Sequence, residues 1–288
     1  MQYTLIIIFP IIIFLINLIF KKKKFLSNFT GDQHQKLTAN SNVPLSGGIF
    51  LFFFIVSIFY YNHEALLLFI FGIFFLGLVS DIKFIKSPKI RFVLQLLLVF
   101  TFVYYFKLHV GPTRIYFLDY FLNYSFFSYF FSVFCLMIVI NGSNFIDGLN
   151  GLLLGYYLII LLILYKLGIF TEINLELIQI NLLIVLLICL LLFNILNQFF
   201  MGDSGAYTLS LIVSFFLISI YQNHQIFSPF FIILLLWYPC FENLFSIIRK
   251  LNIRNSPMSP DNKHFHQLLF LLIKKKFELN NNYANNYS

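Results

Sequence analysis

The 288-residue chain is 60% hydrophobic and only 10% charged, with a formal net charge of +8. A soluble domain is nearer to about 25% charged, so composition excludes an ordinary globular protein and points to a single integral domain, an all-α polytopic membrane helical bundle. The positive-inside rule accounts for the basic excess. No helix-turn-helix, zinc-finger spacing or soluble basic domain is present, so no nucleic acid is expected as a partner.

Residues 3–20 are apolar, about 27 Å long as a helix and enough to span a bilayer. Lys21, Lys22, Lys23 and Lys24 follow, and no basic region precedes. A signal peptide has the opposite flank, so this is an uncleaved first helix with its N-terminus outside. Residues 25–44 are polar and cytoplasmic. Helices are expected at about 45–61 and 65–79, with a second cytoplasmic stretch at 80–88. A helix at about 89–106, an outer loop at 107–123 and a helix at about 124–140 come next. The polar stretch 141–151 leads into a helix ending near residue 167. After an outer loop at 168–176, a helix runs over about 177–194, and 195–205 is cytoplasmic. The last two helices cover about 206–220 and 226–248, the latter interrupted by Pro239. Residues 249–266 form the last large cytoplasmic stretch. This gives about nine transmembrane helices within an integral membrane domain at 1–273, and a polar cytoplasmic tail at 274–288.

Charge supports this orientation. Lys36, Lys83, Lys86, Lys89, Arg91, Arg249, Lys250, Arg254, Lys263, Lys274, Lys275 and Lys276 join the first four lysines inside; only Lys107, Arg114 and Lys166 fall outside. That split is 16 to 3 of the 19 basic residues. The three cysteines, Cys135, Cys189 and Cys240, lie in apolar runs without metal or disulfide spacing and read as small buried hydrophobes.

The central stretch reads Asn141-Gly142-Ser143-Asn144-Phe145-Ile146-Asp147-Gly148-Leu149-Asn150-Gly151. Asn141, Asn144, Asp147 and Asn150 recur every third residue, so a helical turn would keep successive ones near one side. The glycines permit sharp turns or close approach to a ligand. An ordinary turn-rich loop is the plainer interpretation of this stretch taken alone.

Asp81, Asp147, Asp203 and Asp261 each fall in a different cytoplasmic stretch, near a helix end. Asp32 is cytoplasmic too, but nothing around it suggests a site. Asp203 lies in Gly202-Asp203-Ser204-Gly205, just before a helix. A carboxylate there suits Mg²⁺, with the glycines and helix N-terminus receiving phosphate oxygens; a simple helix cap is the alternative. His264 and His266, on a basic loop, suit a pyrophosphate or ribose, or are surface residues. Glu242 sits within the last helix, where a charge is costly; it either approaches the cytoplasmic cavity or pairs with a basic neighbour. Acids, amides, histidines and basic residues on one membrane face suggest phosphate chemistry on a membrane-resident substrate, since phosphoryl transfer needs mainly positioning, metal and positive charge.

Five stretches resemble, in order, the polyprenyl-phosphate N-acetylhexosamine-1-phosphate transferases, a superfamily that includes the phospho-MurNAc-pentapeptide translocases and the O-antigen-initiating enzymes. His34-Gln35-Lys36-Leu37-Thr38 with Pro44-Leu45-Ser46-Gly47-Gly48 resembles the loop after the first helix. Ser80-Asp81, then Ser87-Pro88-Lys89-Ile90-Arg91 and Gln95, resembles an Asp-Asp loop and the basic helix after it. The stretch from Asn141 resembles Asn-x-x-Asn-x-x-Asp-Gly-x-Asp-Gly-Leu, and Gly202 to Gly205 resembles Gly-Asp-x-Gly. Ser259-Pro260-Asp261-Asn262-Lys263-His264-Phe265-His266 resembles the histidine loop of the O-antigen branch.

The resemblance implies transfer of a sugar-1-phosphate from a UDP-N-acetylhexosamine to undecaprenyl phosphate, releasing UMP. This would be the first membrane step of an envelope polysaccharide, at a bacterial inner membrane. It implies Mg²⁺, with Mn²⁺ the alternative, and Asp203 as metal ligand. Asp81 and Asp147 would orient or deprotonate the lipid phosphate, supported by Asn144. Lys89, Arg91, Asn141, Asn150, His264 and His266 would bind substrate. The sugar, the polymer and a possible homodimer stay open. The chain departs from the pattern at Ser80, Asn150 and Gln267, and its C-terminus is expected to be short relative to the family. An inactive homologue acting as a membrane scaffold is therefore the alternative. A transporter is a third reading, against which the single-face clustering argues.

Overall fold

The computed structural model describes residues 2–27, 43–60, 63–168, 176–223, 227–254, 263–277 and 285. Asp32, Asp261, residues 34–38 and residues 259–260 lie outside them. Among the described residues the chain is helical, without strands. The helices are α1 (Gln2–Lys23), α2 (Gly47–Phe59), α3 (Glu64–Asp81), α4 (Pro88–Tyr105), α5 (Tyr116–Leu122), α6 (Ser125–Ile146), α7 (Leu152–Lys166), α8 (Leu177–Ile195), α9 (Gly202–Asn223), α10 (Pro229–Leu235), α11 (Trp237–Asn252) and α12 (Phe265–Phe277).

Five of the described helices, α3, α4, α6, α8 and α9, are long and apolar enough to cross a membrane. A sixth span results if α10 and α11, bent by 75° relative to each other, count together. α2 and α7 are apolar but shorter, at 13 and 15 residues. Large apolar side chains such as Leu68, Phe71 and Phe75 on α3 and Leu97, Phe100 and Tyr104 on α4 are exposed. In water such a surface is a liability; in a bilayer it is the lipid-facing side.

The bundle is built around α9. Its best apolar window is 89% buried, against 22% for α4, which places α9 at the centre and α4 at the rim. α9 packs against α2, α3, α6 and α7, and α4 packs against α3 and α6. Small residues allow the closest approaches. A Cβ on either Gly48 of α2 or Gly77 of α3 would collide with Ser204 at the start of α9. The α8–α9 connection is pinned as well: Gly47 and Gly48 donate backbone hydrogen bonds to Phe200 and Met201 at 3.0 and 3.1 Å.

Several boundaries differ from those expected. α6 continues six residues past Ile140, so the first half of the central stretch is helix. Its small residues are buried rather than looped out: Gly142 lies against the Pro239 carbonyl of α11, and Ser143 hydrogen-bonds Tyr157 of α7. α9 begins at Gly202, so Asp203 is inside the helix and not before it. The break between α10 and α11 falls at Leu236, ahead of Pro239. Pro239 is the third residue of α11, where a missing N–H is tolerated; that same N–H is the one that would have bonded the Leu235 carbonyl and continued α10. The stretch 107–123 carries the short α5, and the histidine stretch runs into α12.

Candidate active site

An α-helix begins with backbone N–H groups that have no partner inside it. At the start of α9 these are taken by carboxylates from two other helices. Asp147, the residue that ends α6, accepts from Gly202 N through Oδ2 at 3.0 Å. Asp81, the last residue of α3, accepts from Asp203 N through Oδ1 at 2.8 Å. Its Oδ2 accepts from Ser204 N at 3.1 Å and Ser204 Oγ at 2.7 Å. Gly202 enters at φ +70°, a left-handed conformation that glycine adopts without strain. The helix N-terminus expected to receive phosphate oxygens is thus already filled by Asp81 and Asp147.

The Asp203 side chain turns elsewhere. Its Oδ2 accepts from Ser80 Oγ at 2.6 Å and from Arg91 Nη1 at 2.7 Å. A weaker contact from Tyr207 OH is 3.4 Å long. Arg91 Nη1 also donates to Ser80 Oγ at 2.8 Å. Asp203 is therefore not the cap of its own helix. Ser80, which stands where an acid was expected, bridges Arg91 and Asp203. Tyr207 was missed by sequence reasoning, although its i+4 spacing from Asp203 places it on the same helical face.

Asn141 and Asn144 lie along α6, about two turns and one turn before Asp147. Asn141 Nδ2 donates back to the Met137 carbonyl at 2.9 Å, and Asn144 makes no side-chain hydrogen bond among the described residues. The spacing thus leads along one helix to Asp147, as its period suggested. Burial, then the neighbouring Asp81 and Asp203 carboxylates, hold the Asp147 carboxyl well above its usual range, against the pull of the Gly202 N–H. Lys89 is exposed on the first turn of α4. Asn150 is buried and braces loops: its N donates to Asn285 Oδ1 at 2.9 Å, and its Nδ2 donates to Asn197 Oδ1 at 2.8 Å.

The histidines form a second cluster at the α6 end, against Phe145 and Gly148. His264 and His266 are buried, not surface residues, with stacked rings 5.6 Å apart. His264 also stacks on Phe145 at 4.9 Å. Its Nδ1 lies 2.8 Å from Glu242 Oε2, and Phe265 N donates to Glu242 Oε1 at 2.8 Å. Glu242 thus pairs with His264, which decides between its two expected roles. His266 Nδ1 is 3.2 Å from Tyr238 OH, while Nε2 has no partner among the described residues and faces Gly148. Burial and the adjacent His264 push His266 down to about 4, against the pull of Glu242. His266 is therefore neutral near pH 7 and brings no positive charge to a phosphate.

Among the described residues no group of three His, Cys, Asp or Glu side chains is arranged to hold a metal ion. Asp147 and Asp203 each keep one carboxylate oxygen free of hydrogen bonds among the described residues, at adjoining points of the α9 start. All-oxygen donors suit a hard dication, and Mg²⁺ commonly uses one or two carboxylates plus substrate phosphates. The residues present fit such an ion better than zinc, which favours nitrogen and sulfur.

The profile of glycosyl transferase family 4 matches residues 63–221, which include Asp81, Arg91, the central stretch and Asp203. An undecaprenyl-phosphate alpha-N-acetylglucosaminyl 1-phosphate transferase of Salmonella typhi is 30% identical over 243 residues, covering 79% of this chain and 65% of the relative. The protein of the same name from Escherichia coli K12 is 28% identical over 250 residues, with 79% and 65% covered. That of Thermotoga maritima is 25% identical over 241 residues, with 81% and 70% covered. The chain thus spans about 65% of the length of the first two relatives. With the profile matching more than half of the chain and the carboxylate cluster inside the match, the chain belongs to glycosyl transferase family 4.

Proposed function

We propose that this chain transfers a sugar-1-phosphate from a UDP-N-acetylhexosamine to undecaprenyl phosphate and releases UMP. One observation carries this: Asp147 and Asp203, each with a free carboxylate oxygen, converge on the start of α9, where Arg91 pairs with Asp203, at one end of a bundle of membrane-length helices. The names of the relatives supply the acceptor and the transferred group.

In this reading an oxygen of the lipid phosphate attacks the β-phosphorus of the nucleotide sugar. A new pyrophosphate bond forms, the bond to the α-phosphate oxygen breaks, and UMP departs with that oxygen. Mg²⁺ held by Asp203 and Asp147 would neutralise charge on the diphosphate. Arg91 supplies a fixed positive charge at the same place, and its unshared N–H groups suit phosphate oxygens. Asp81 holds the start of α9 rather than acting as a base. A lipid phosphate is largely ionised near neutral pH and needs little help to attack.

The reading places the site on the cytoplasmic face of a bacterial inner membrane, in line with the basic-residue split. Labelling of Lys263→Cys from outside intact cells would contradict that orientation. The activity is tested with purified protein, undecaprenyl phosphate, Mg²⁺ and a panel of UDP-N-acetylhexosamines. UMP release with at least one donor is expected. A folded protein that releases none, beside an active relative in the same assay, overturns the reading and favours the scaffold role.

A further inference from the structure

The contacts between α11 and α12 assign a part to Glu242. It is 1% exposed, in a helix whose outer face carries Phe241, Leu244, Phe245 and Ile248. Burying a carboxylate is costly unless its oxygens are satisfied. Here both are: Oε1 takes the Phe265 N–H that opens α12, and Oε2 takes His264 Nδ1. Tyr238, one turn earlier on the same face, meets His266. Residues four apart on α11 therefore hold residues two apart at the start of α12.

A carboxylate only accepts hydrogen bonds, so the nitrogen facing it must carry the proton. Nδ1 of His264 is then the N–H, and Nε2 is left for a ligand. The ring cannot turn freely, because Phe145 stacks on one side and His266 on the other. We propose that Glu242 is a positioning residue that fixes the tautomer and orientation of His264 beside the α6 end, so that the unprotonated Nε2 accepts a hydrogen bond from a hydroxyl or amide N–H of the nucleotide sugar. This rests on the transferase reading above; the Glu242–His264 arrangement itself does not.

Glu242→Gln separates the two. The glutamine oxygen can still accept from Phe265 N, so α12 keeps its anchor. Its amide nitrogen is a donor and forces His264 Nδ1 to accept, moving the neutral proton to Nε2. In protein with ¹⁵N-labelled histidine, the wild-type His264 spectrum should show Nδ1–H and the variant Nε2–H. Transfer should fall about ten- to a hundredfold, mainly in kcat. On a His264→Ala background the same substitution should change transfer less than about twofold. A wild-type His264 that carries a proton on Nε2 overturns the arrangement, whether or not the protein transfers sugar phosphate. An equal loss of activity with and without His264 overturns the positioning role. Should Glu242→Gln not fold, the wild-type spectrum still decides the tautomer, and Glu242→Asp serves for the kinetic comparison, with loss of activity again expected only when His264 is present.

Discussion

Asp81 and Ser204 are joined twice, the Ser204 amide and hydroxyl both donating to Asp81 Oδ2 at 3.1 and 2.7 Å. This links the end of α3 to the start of the central helix, where close packing at Gly77 leaves no room for a larger residue. The acid is thus part of the frame that presents Asp203.

Asp81→Asn should therefore destabilise the protein as well as lower activity. The amide offers one accepting oxygen where two now serve three donors, and its NH₂ would face an N–H. Leaving a buried donor unsatisfied costs roughly 1–3 kcal/mol. The apparent melting temperature of the detergent-purified variant should drop by several degrees. An unchanged melting temperature with activity lost would instead make Asp81 a purely chemical group.

Gly148 is the second place where the frame is tight. A Cβ there would lie 2.7 Å from His266 Nε2. Gly148→Ala should push the α12 start off the α6 end and cost about 1–3 kcal/mol, as overpacking does. Adding His266→Ala makes room, so the double variant should regain much of the lost melting temperature. Equal losses in the single and double variants would contradict this contact.

Low pH should loosen the same contact. An unfolded histidine titrates near about 6.5, and His266 in the fold is held down to about 4. The unfolded chain takes up its proton first, so falling pH favours unfolding. The stability that a neutral His266 contributes is full above about pH 6.5 and is lost as pH falls through about 4. Wild type should lose melting temperature across that window more steeply than His266→Gln. Parallel curves would contradict it.

Much of this was legible in the sequence. The three-residue spacing from Asn141 does run along one helix toward Asp147. Hydropathy misplaced the ends, because Asn, Gly and Ser at 141–144 look like a loop when their burial against α7 and α11 is unseen. The sequence also left open whether the histidines are buried, since a polar residue in a short stretch gives no sign of whether solvent or a buried partner will satisfy it. Ser80 looked like a lost acid. Its hydroxyl bridge between Arg91 and Asp203 depends on α3, α4 and α9 meeting, a relation that no local pattern carries.

The central claim is that phosphorus moves with the sugar at the Asp203 site, and β-³²P-labelled UDP-N-acetylhexosamine tests it most directly. Wild type with Mg²⁺ and undecaprenyl phosphate should carry the label into the lipid fraction. Asp203→Asn should carry none while keeping its helical content, because Asp81 and Asp147, not the Asp203 side chain, hold the start of α9. Label remaining in water-soluble UDP while sugar reaches the lipid, or near-normal labelling by Asp203→Asn with the same Mg²⁺ requirement, would contradict the account.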